Sequence, residues 1–251
     1  MVHRNELTAY MDTLLEIERF KDYGPNGLQV EGRAQINRVV CGVTASLALI
    51  EQAIAAQADA VIVHHGLFWR GQDGRVVGWM KQRLQRLLVN DVNLYAYHLP
   101  LDAAPVLGNN AVLGQRLGLK VNEYIGDQGL IALGEPDGGV AWTLEEIQQK
   151  VAQTLQRDPL VIAGDGRPLK RIAWCSGGAQ GYFETAIAAG ADVYLTGEIS
   201  EPQMHYARET GVAFLACGHH ATERYGIQAL AQNVSDHFGI ECQYIEVDNP
   251  A

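Results

Sequence analysis

The sequence predicts an α/β fold with largely parallel strands and helices on the sheet faces. Three observations predict it. Short apolar runs alternate with helix-like segments along most of the chain, a helix–strand unit recurs 133 residues later, and polar clusters directly follow the apolar runs.

The elements follow in order. Residues 6–20 read as an N-terminal helix, and KDYGPNGLQVEG (21–32) as a loop. RVVCGV (38–43) is a β-branched apolar run and therefore a strand; the alanine-rich LALIEQAIAAQ (47–57) is a helix. ADAVIV (58–63) is again a strand, VVGWMKQRLQRLLVN (76–90) a helix and VNLYAY (92–97) a strand. Residues 121–170 are less regular and are expected to include an antiparallel strand or two. Alternation then resumes with RIAWC, YFETAIAAG, ADVYLTG, EPQMHYARETG, VAFLAC and a long final helix.

The repeat is specific. EQAIAAQAD (51–59) matches ETAIAAGAD (184–192) at seven of nine positions without a gap. At the same offset Arg38-Val39 falls on Arg171-Ile172, the start of the preceding strand in each half. Further on, an offset of 121 aligns His98-Leu-Pro-Leu-Asp102 with His219-His-Ala-Thr-Glu223. Duplication explains this better than a shared taste for alanine, and it divides the chain into repeats at 1–125 and 126–251.

Composition narrows the function classes. A chain of 251 residues buries roughly three-quarters of its unfolded surface and needs no disulfide staples. Asp and Glu number 29 against 19 Lys and Arg, a net charge of −10. That argues against a dedicated duplex-binding protein, which needs a basic face, but not against a small nucleotide held by a metal. No apolar run approaches the ~18–20 residues of a membrane span, and the charged start is not a secretory signal. Four cysteines, Cys41, Cys175, Cys217 and Cys242, form no CxxC pair and are expected as reduced thiols in the cytoplasm.

Ligands of open α/β sheets bind beyond the carboxyl ends of the strands. His64-His65 follows VIV, His98 and Asp102 follow LYAY, Glu198 follows VYLT-Gly, and His219 with Glu223 follows FLAC-Gly. His219 and Glu223, four apart, share a helix face if the last helix starts near 219. Pro100 argues for a turn between His98 and Asp102, with His98 either a ligand or a partner beside the ligands. Successive strand residues face opposite ways, so His64 and His65 are expected to converge only where the strand breaks into a loop. A lone histidine is ordinarily a hydrogen-bonded core residue; two adjacent histidines and two His-x-x-x-acid units at strand ends are not. Mixed imidazole and carboxylate ligation suits Zn, Mn, Fe or Ni, and the ligand count suits a dinuclear site that activates water. The run Lys81, Arg83, Arg86 reads as a solvated face or a phosphate contact, Ser176-Gly-Gly as a tight turn or a phosphate cradle lacking a Walker lysine, and Cys175 and Cys217 as buried apolar groups.

DYGPNGLQVEG (22–32), GVTAS (42–46), ADAVIVHHG (58–66), HLPLDAAPVLGNN (98–110), TGE (196–198) and GHHATER (218–224) resemble the Nif-three-like family. Its members carry the name GTP cyclohydrolase type-2 homologue, and the chain is similar to the short bacterial form. The resemblance implies two intertwined, duplicated subdomains with mixed sheets, in three layers, with a dinuclear metal site between them. It also implies a toroidal homohexamer. Carried over by motif, the metal ligands are His64, His65, Asp102, His219 and Glu223, with His220 either a bystander or a partner behind the ligands.

The expected function is a dinuclear-metal-dependent hydrolase acting on a small, nucleotide-like substrate. In its cyclohydrolase form, water adds to C8 of a guanine ring and formate leaves. His98 is the expected proton shuttle, and Glu198 a candidate by its strand-end position alone. The rival is a non-catalytic metal-binding ring protein serving as scaffold or sensor.

Overall fold

The computed structural model describes residues 1–251. The first elements are β1 (Val2–His3), α1 (Arg4–Leu14), β2 (Gly27–Val30), β3 (Gln35–Ile36), β4 (Arg38–Thr44), α2 (Leu47–Ala55) and β5 (Ala60–His65). Next come α3 (Gly78–Val89), β6 (Asn93–Ala96), α4 (Leu99–Ala103), α5 (Asn109–Leu117), β7 (Leu119–Ile125) and β8 (Ile131–Pro136). They are followed by α6 (Leu144–Leu155), β9 (Leu160–Ile162), β10 (Ile172–Trp174) and α7 (Phe183–Ala188). The last are β11 (Val193–Thr196), α8 (Glu201–Thr210), β12 (Ala213–Ala216), α9 (His219–Phe238) and β13 (Glu241–Tyr244).

One compact unit comprises Met1–Leu101 and Ile227–Asp248. Its five-stranded sheet has the order β13-β4-β5-β6-β2, parallel from β13 to β6 and closed by antiparallel β2. β4 and β5 are apolar along nearly their whole length because both sheet faces are covered. Leu49, Ile50 and Ala53 of α2 and Met80, Leu84 and Leu87 of α3 supply part of that cover. α2 starts at Ser46, whose Oγ accepts the Leu49 amide at 3.1 Å, an N-cap worth about 1 kcal/mol.

The second unit comprises Asp102–Gly226 and Asn249–Ala251. Its six-stranded sheet runs β7-β8-β10-β11-β12-β9, with β10, β11 and β12 parallel and the other pairings antiparallel. Trp174 lies fully buried in its core beside Ile147 and Val151 of α6. α6 opens with a reciprocal capping box between Thr143 and Glu146.

The repeat reaches into the backbone pairing. Val39 pairs with Ala60 across β4 and β5, and Ile172 pairs with Val193 across β10 and β11, each residue displaced by the same 133. The compact units divide the chain differently from the repeats at 1–125 and 126–251. The chain leaves the first unit within α4 and re-enters it within α9, so β13 completes the sheet begun by β4.

Local differences from the sequence reading have physical causes. The first helix stops at Leu14 rather than near 20, because Glu16 takes a left-handed conformation, φ 50°. The 21–32 loop contains β2 and the C-terminal region adds β13, both short edge strands with weak patterns. Strand β5 continues through His65 instead of breaking at the histidines. Residues 99–103 form a helical turn, not the expected loop turn, since Pro100 lies in the first turn, where no amide donor is needed.

Candidate metal centre

In the first unit, β5 ends on His64 and His65, and β6 is followed by Tyr97 and His98. The strands are parallel neighbours, so these residues emerge at one rim. His64 is fully buried, and its ring centroid lies 4.6 Å from His65 and 5.1 Å from His98. One ring nitrogen from each of the three lies within 4.8 Å of the others. Adjacent residues converge here although the strand runs through both, without the loop expected from strand alternation.

Each of these imidazoles is held at Nδ1. His64 Nδ1 donates to the Tyr97 carbonyl at 2.9 Å, His65 Nδ1 meets Thr44 Oγ1 at 3.1 Å, and His98 Nδ1 donates to Asp22 Oδ1 at 2.7 Å. A carbonyl or carboxylate can only accept, so His64 and His98 carry a proton on Nδ1, which in the neutral ring puts the lone pair on Nε2. Metal-ligating histidines are oriented in this way by their non-ligating nitrogen. Burial pushes the Asp22 carboxyl up, but hydrogen bonds from His98, Asn26 and the Tyr23 amide bring it below its ordinary value.

In the second unit, α9 begins at His219, which places Glu223 one turn later on the same face. His219 Nε2 lies 3.3 Å from Glu223 Oε2, and its Nδ1 meets Glu198 Oε1 at 2.6 Å. Burial opposes charge on this imidazole, but Glu223 and Glu198 outweigh it and raise its pKa to about 9. Asp102 is buried, and its Oδ1 accepts Asn109 Nδ2 and Ser176 Oγ, both at 2.9 Å. Its carboxylate lies within 4.8 Å of Glu223, itself 2% exposed.

The Ser176-Gly-Gly turn has a defined task. Gly177 has φ +67°, and a Cβ there would overlap Glu223 Oε1 and stand 3.2 Å from His219 Nε2. Glycine is the residue that lets the backbone pass this close to the acids. Its amide is fixed by Thr222 Oγ1 at 2.9 Å. Cys175 and Cys217 are buried and their thiols are pushed up by desolvation, which suits packing and not nucleophilic attack.

Neutral imidazole nitrogen and paired buried carboxylate oxygen are the donor chemistry of a divalent transition metal. These residues fit such an ion: His64 and His65, with His98 beside them, gather in the first unit, and Asp102, His219 and Glu223 gather in the second. Glu198, marked in the sequence only by position, is the residue that holds His219. The orienting residues Asp22, Thr44, Asn109 and Ser176 lie in stretches the sequence marked, but their partners could not be read there: three of the four act through a residue more than 20 positions away, and Asn109 through Asp102 across a turn.

The chain matches the family model described as Duf34/NIF3 (NGG1p interacting factor 3) over residues 2–250. The chain belongs to the Duf34/NIF3 family. It is 49% identical over 251 residues to a Neisseria meningitidis serogroup A protein named GTP cyclohydrolase 1 type 2 homolog, with all of both chains covered. A Pseudomonas aeruginosa protein of the same name is 50% identical, covering 98% of this chain and 97% of its own. Among solved structures, protein ybgI, described as of unknown function, is 42% identical with a TM-score of 0.95 and full coverage of both chains. TTHA1606 from Thermus thermophilus is 34% identical with a TM-score of 0.90, again with full coverage of both.

Proposed function

We propose that this Duf34/NIF3 protein is a metal-dependent hydrolase acting on a small, nucleotide-like substrate. In this reading His64, His65, Asp102, His219 and Glu223 together hold two divalent ions, whether Zn, Fe, Mn or Ni. The observation that carries it is the shared wiring of the imidazoles. His64, His65, His98 and His219 each engage Nδ1 with a fixed group of their own unit. Histidines that merely fill a core have no reason to share that pattern at strand ends.

Divalent ions at such donors supply Lewis acidity and a water acidified toward neutral pH. The chain's own residues do the rest. Asn109 and Ser176 fix Asp102, Glu198 fixes His219, and His98 accepts and returns the proton. Trp69 stands edge-on to His98 at 5.0 Å and Tyr23, 58% exposed, lies 6.1 Å from it. Such flat apolar walls beside polar groups suit a planar base. The relatives' name, GTP cyclohydrolase 1 type 2 homolog, points to the same substrate class. Metal-loaded protein assayed against nucleotides and phosphoesters, with Asp102→Ala as control, tests the reading. Turnover abolished in the control is expected; a silent panel sinks the hydrolase.

A second reading, a metal-binding ring that recruits partners, is favoured by exposed apolar side chains around α3. Val77, Trp79, Leu88 and Val89 are 61%, 53%, 60% and 76% exposed, whereas Leu84 and Leu87 are buried. Both readings take a homohexameric ring in the cytoplasm as the assembly; the four free thiols accord with that compartment. Light scattering that returned the 27.4 kDa of one chain at micromolar concentration would reject the ring.

A further inference from the structure

Asp22 has no counterpart in the sequence repeat and belongs to no helix or strand, yet its side chain is only 3% exposed. Its carboxylate collects four donors. Oδ1 accepts His98 Nδ1 at 2.7 Å and the Tyr23 amide at 2.6 Å; Oδ2 accepts the Leu99 amide and Asn26 Nδ2, both at 2.9 Å. Asn26 returns the grip, its Oδ1 accepting the His98 amide at 2.8 Å. The loop is itself anchored: Arg70 Nη2 donates to the Asp22 carbonyl at 2.7 Å, and the Arg70 amide to that of Tyr23 at 2.6 Å. One loop therefore holds both the ring of His98 and the backbone on either side of the 98–99 peptide.

We propose that Asp22 is the positioning residue of His98: it fixes the Nδ1–H tautomer, so that Nε2 is the proton acceptor beside His64 and His65. The proposal deepens the hydrolase reading and rests on it for the chemical step. In that step Nε2 takes a proton from water as the water oxygen bonds to the electrophilic carbon or phosphorus. The resulting imidazolium then gives that proton to the leaving group as its bond breaks. Asp22 stays ionised throughout and stabilises the transient cation. The second unit uses the same device, with Glu198 on His219 Nδ1 at 2.6 Å, but there the ring is also engaged by Glu223. Unlike His219, whose ring also meets Glu223, His98 meets no acid of the proposed ligand set.

The substitution Asp22→Asn separates position from charge. An amide has one accepting oxygen for two sets of donors. With that oxygen toward Leu99 and Asn26, only the Tyr23 amide loses its acceptor, and His98 can turn acceptor by moving its proton to Nε2; the opposite orientation strands both the Leu99 amide and the Asn26 NH2. The asparagine NH2 is therefore expected against His98 Nδ1, with the tautomer reversed. In 15N-histidine-labelled, metal-free full chain, long-range 1H–15N spectra read each tautomer, and His98→Gln identifies the resonance. Wild type should show His98 protonated at Nδ1, and Asp22→Asn at Nε2. In the metal-loaded enzyme, Asp22→Asn should keep its bound metal and lose about 100-fold or more in kcat with little change in KM. A wild-type His98 protonated at Nε2 overturns the proposal whether or not the variant folds. So does an unchanged tautomer in Asp22→Asn, or a reversed tautomer with kcat intact. A silent wild-type substrate panel instead sinks the hydrolase reading, and the tautomer spectra still decide the role of Asp22.

Discussion

Asp59 and Asp192 do the same structural work 133 residues apart. Asp59 Oδ2 accepts the amides of Asn37 and Arg38, and Asp192 Oδ2 accepts those of Lys170 and Arg171. Each thus ties the start of one parallel strand to the start of the next. A repeated pair of side chain–backbone bonds at matching positions is a relic of duplication that no shared alanine content explains.

The two copies differ in depth. Asp59 is 8% exposed and also pairs with Arg33 at 2.9 Å, whereas Asp192 is half-buried and stands 4.0 Å from Arg167. Removing a buried acceptor leaves its donors unsatisfied at about 1–3 kcal/mol. Asp59→Ala is expected to cost more of the urea unfolding free energy than Asp192→Ala. Equal losses would show that depth does not govern the bond's worth here.

The acids and His98 should part company in metal binding. Asp102→Asn and Glu223→Gln remove anionic ligands and should lower bound metal stoichiometrically, while His98→Ala should retain it. Elemental analysis of the three variants checks this. A stripped His98→Ala beside a fully loaded Asp102→Asn would invert the assignment.

Gly177→Ala tests the close backbone approach. The added methyl meets Glu223 Oε1 at a backbone φ of +67°, a conformation costly to any residue with a Cβ. A stability loss of about 1–3 kcal/mol is expected, with a weakened metal site. The control Gly181→Ala, where a Cβ meets open space, should leave metal content unchanged. Titration calorimetry with zinc distinguishes the two.

The thiols give a pH prediction. Burial pushes Cys41 and Cys217 up to about 12 and Cys242 up to about 11. Iodoacetamide at pH 8 should therefore leave the native cysteines unmodified and label all four in guanidinium. Because the folded values lie above those of the unfolded chain, the unfolded state sheds these protons first as pH rises. Stability should fall from about pH 9 upward and not at neutral pH. Rapid native labelling would contradict the burial of these groups.

The sequence by itself determined the strand–helix alternation, the duplication and the histidines and acids at strand ends. These are properties of local pattern: β-branched runs such as VVCGV, an alanine-rich helix, and residue types whose chemistry is intrinsic. His219 and Glu223 were legible as a pair because helical periodicity alone puts them on one face. Only the tertiary structure decided how His64 and His65 converge on an unbroken strand, since each ring is held by a partner at the end of a neighbouring strand, Tyr97 or Thr44. It alone joined Asp22 to His98, Thr44 to His65 and Ser176 to Asp102, partners 76, 21 and 74 residues apart. A hydrogen bond across such spans leaves no periodicity to read, because chain distance carries no information about which loop will fold against which. The same reason put β13 beside β4: a four-residue edge strand has too weak a pattern to announce itself, and its place is set by the sheet edge it finds.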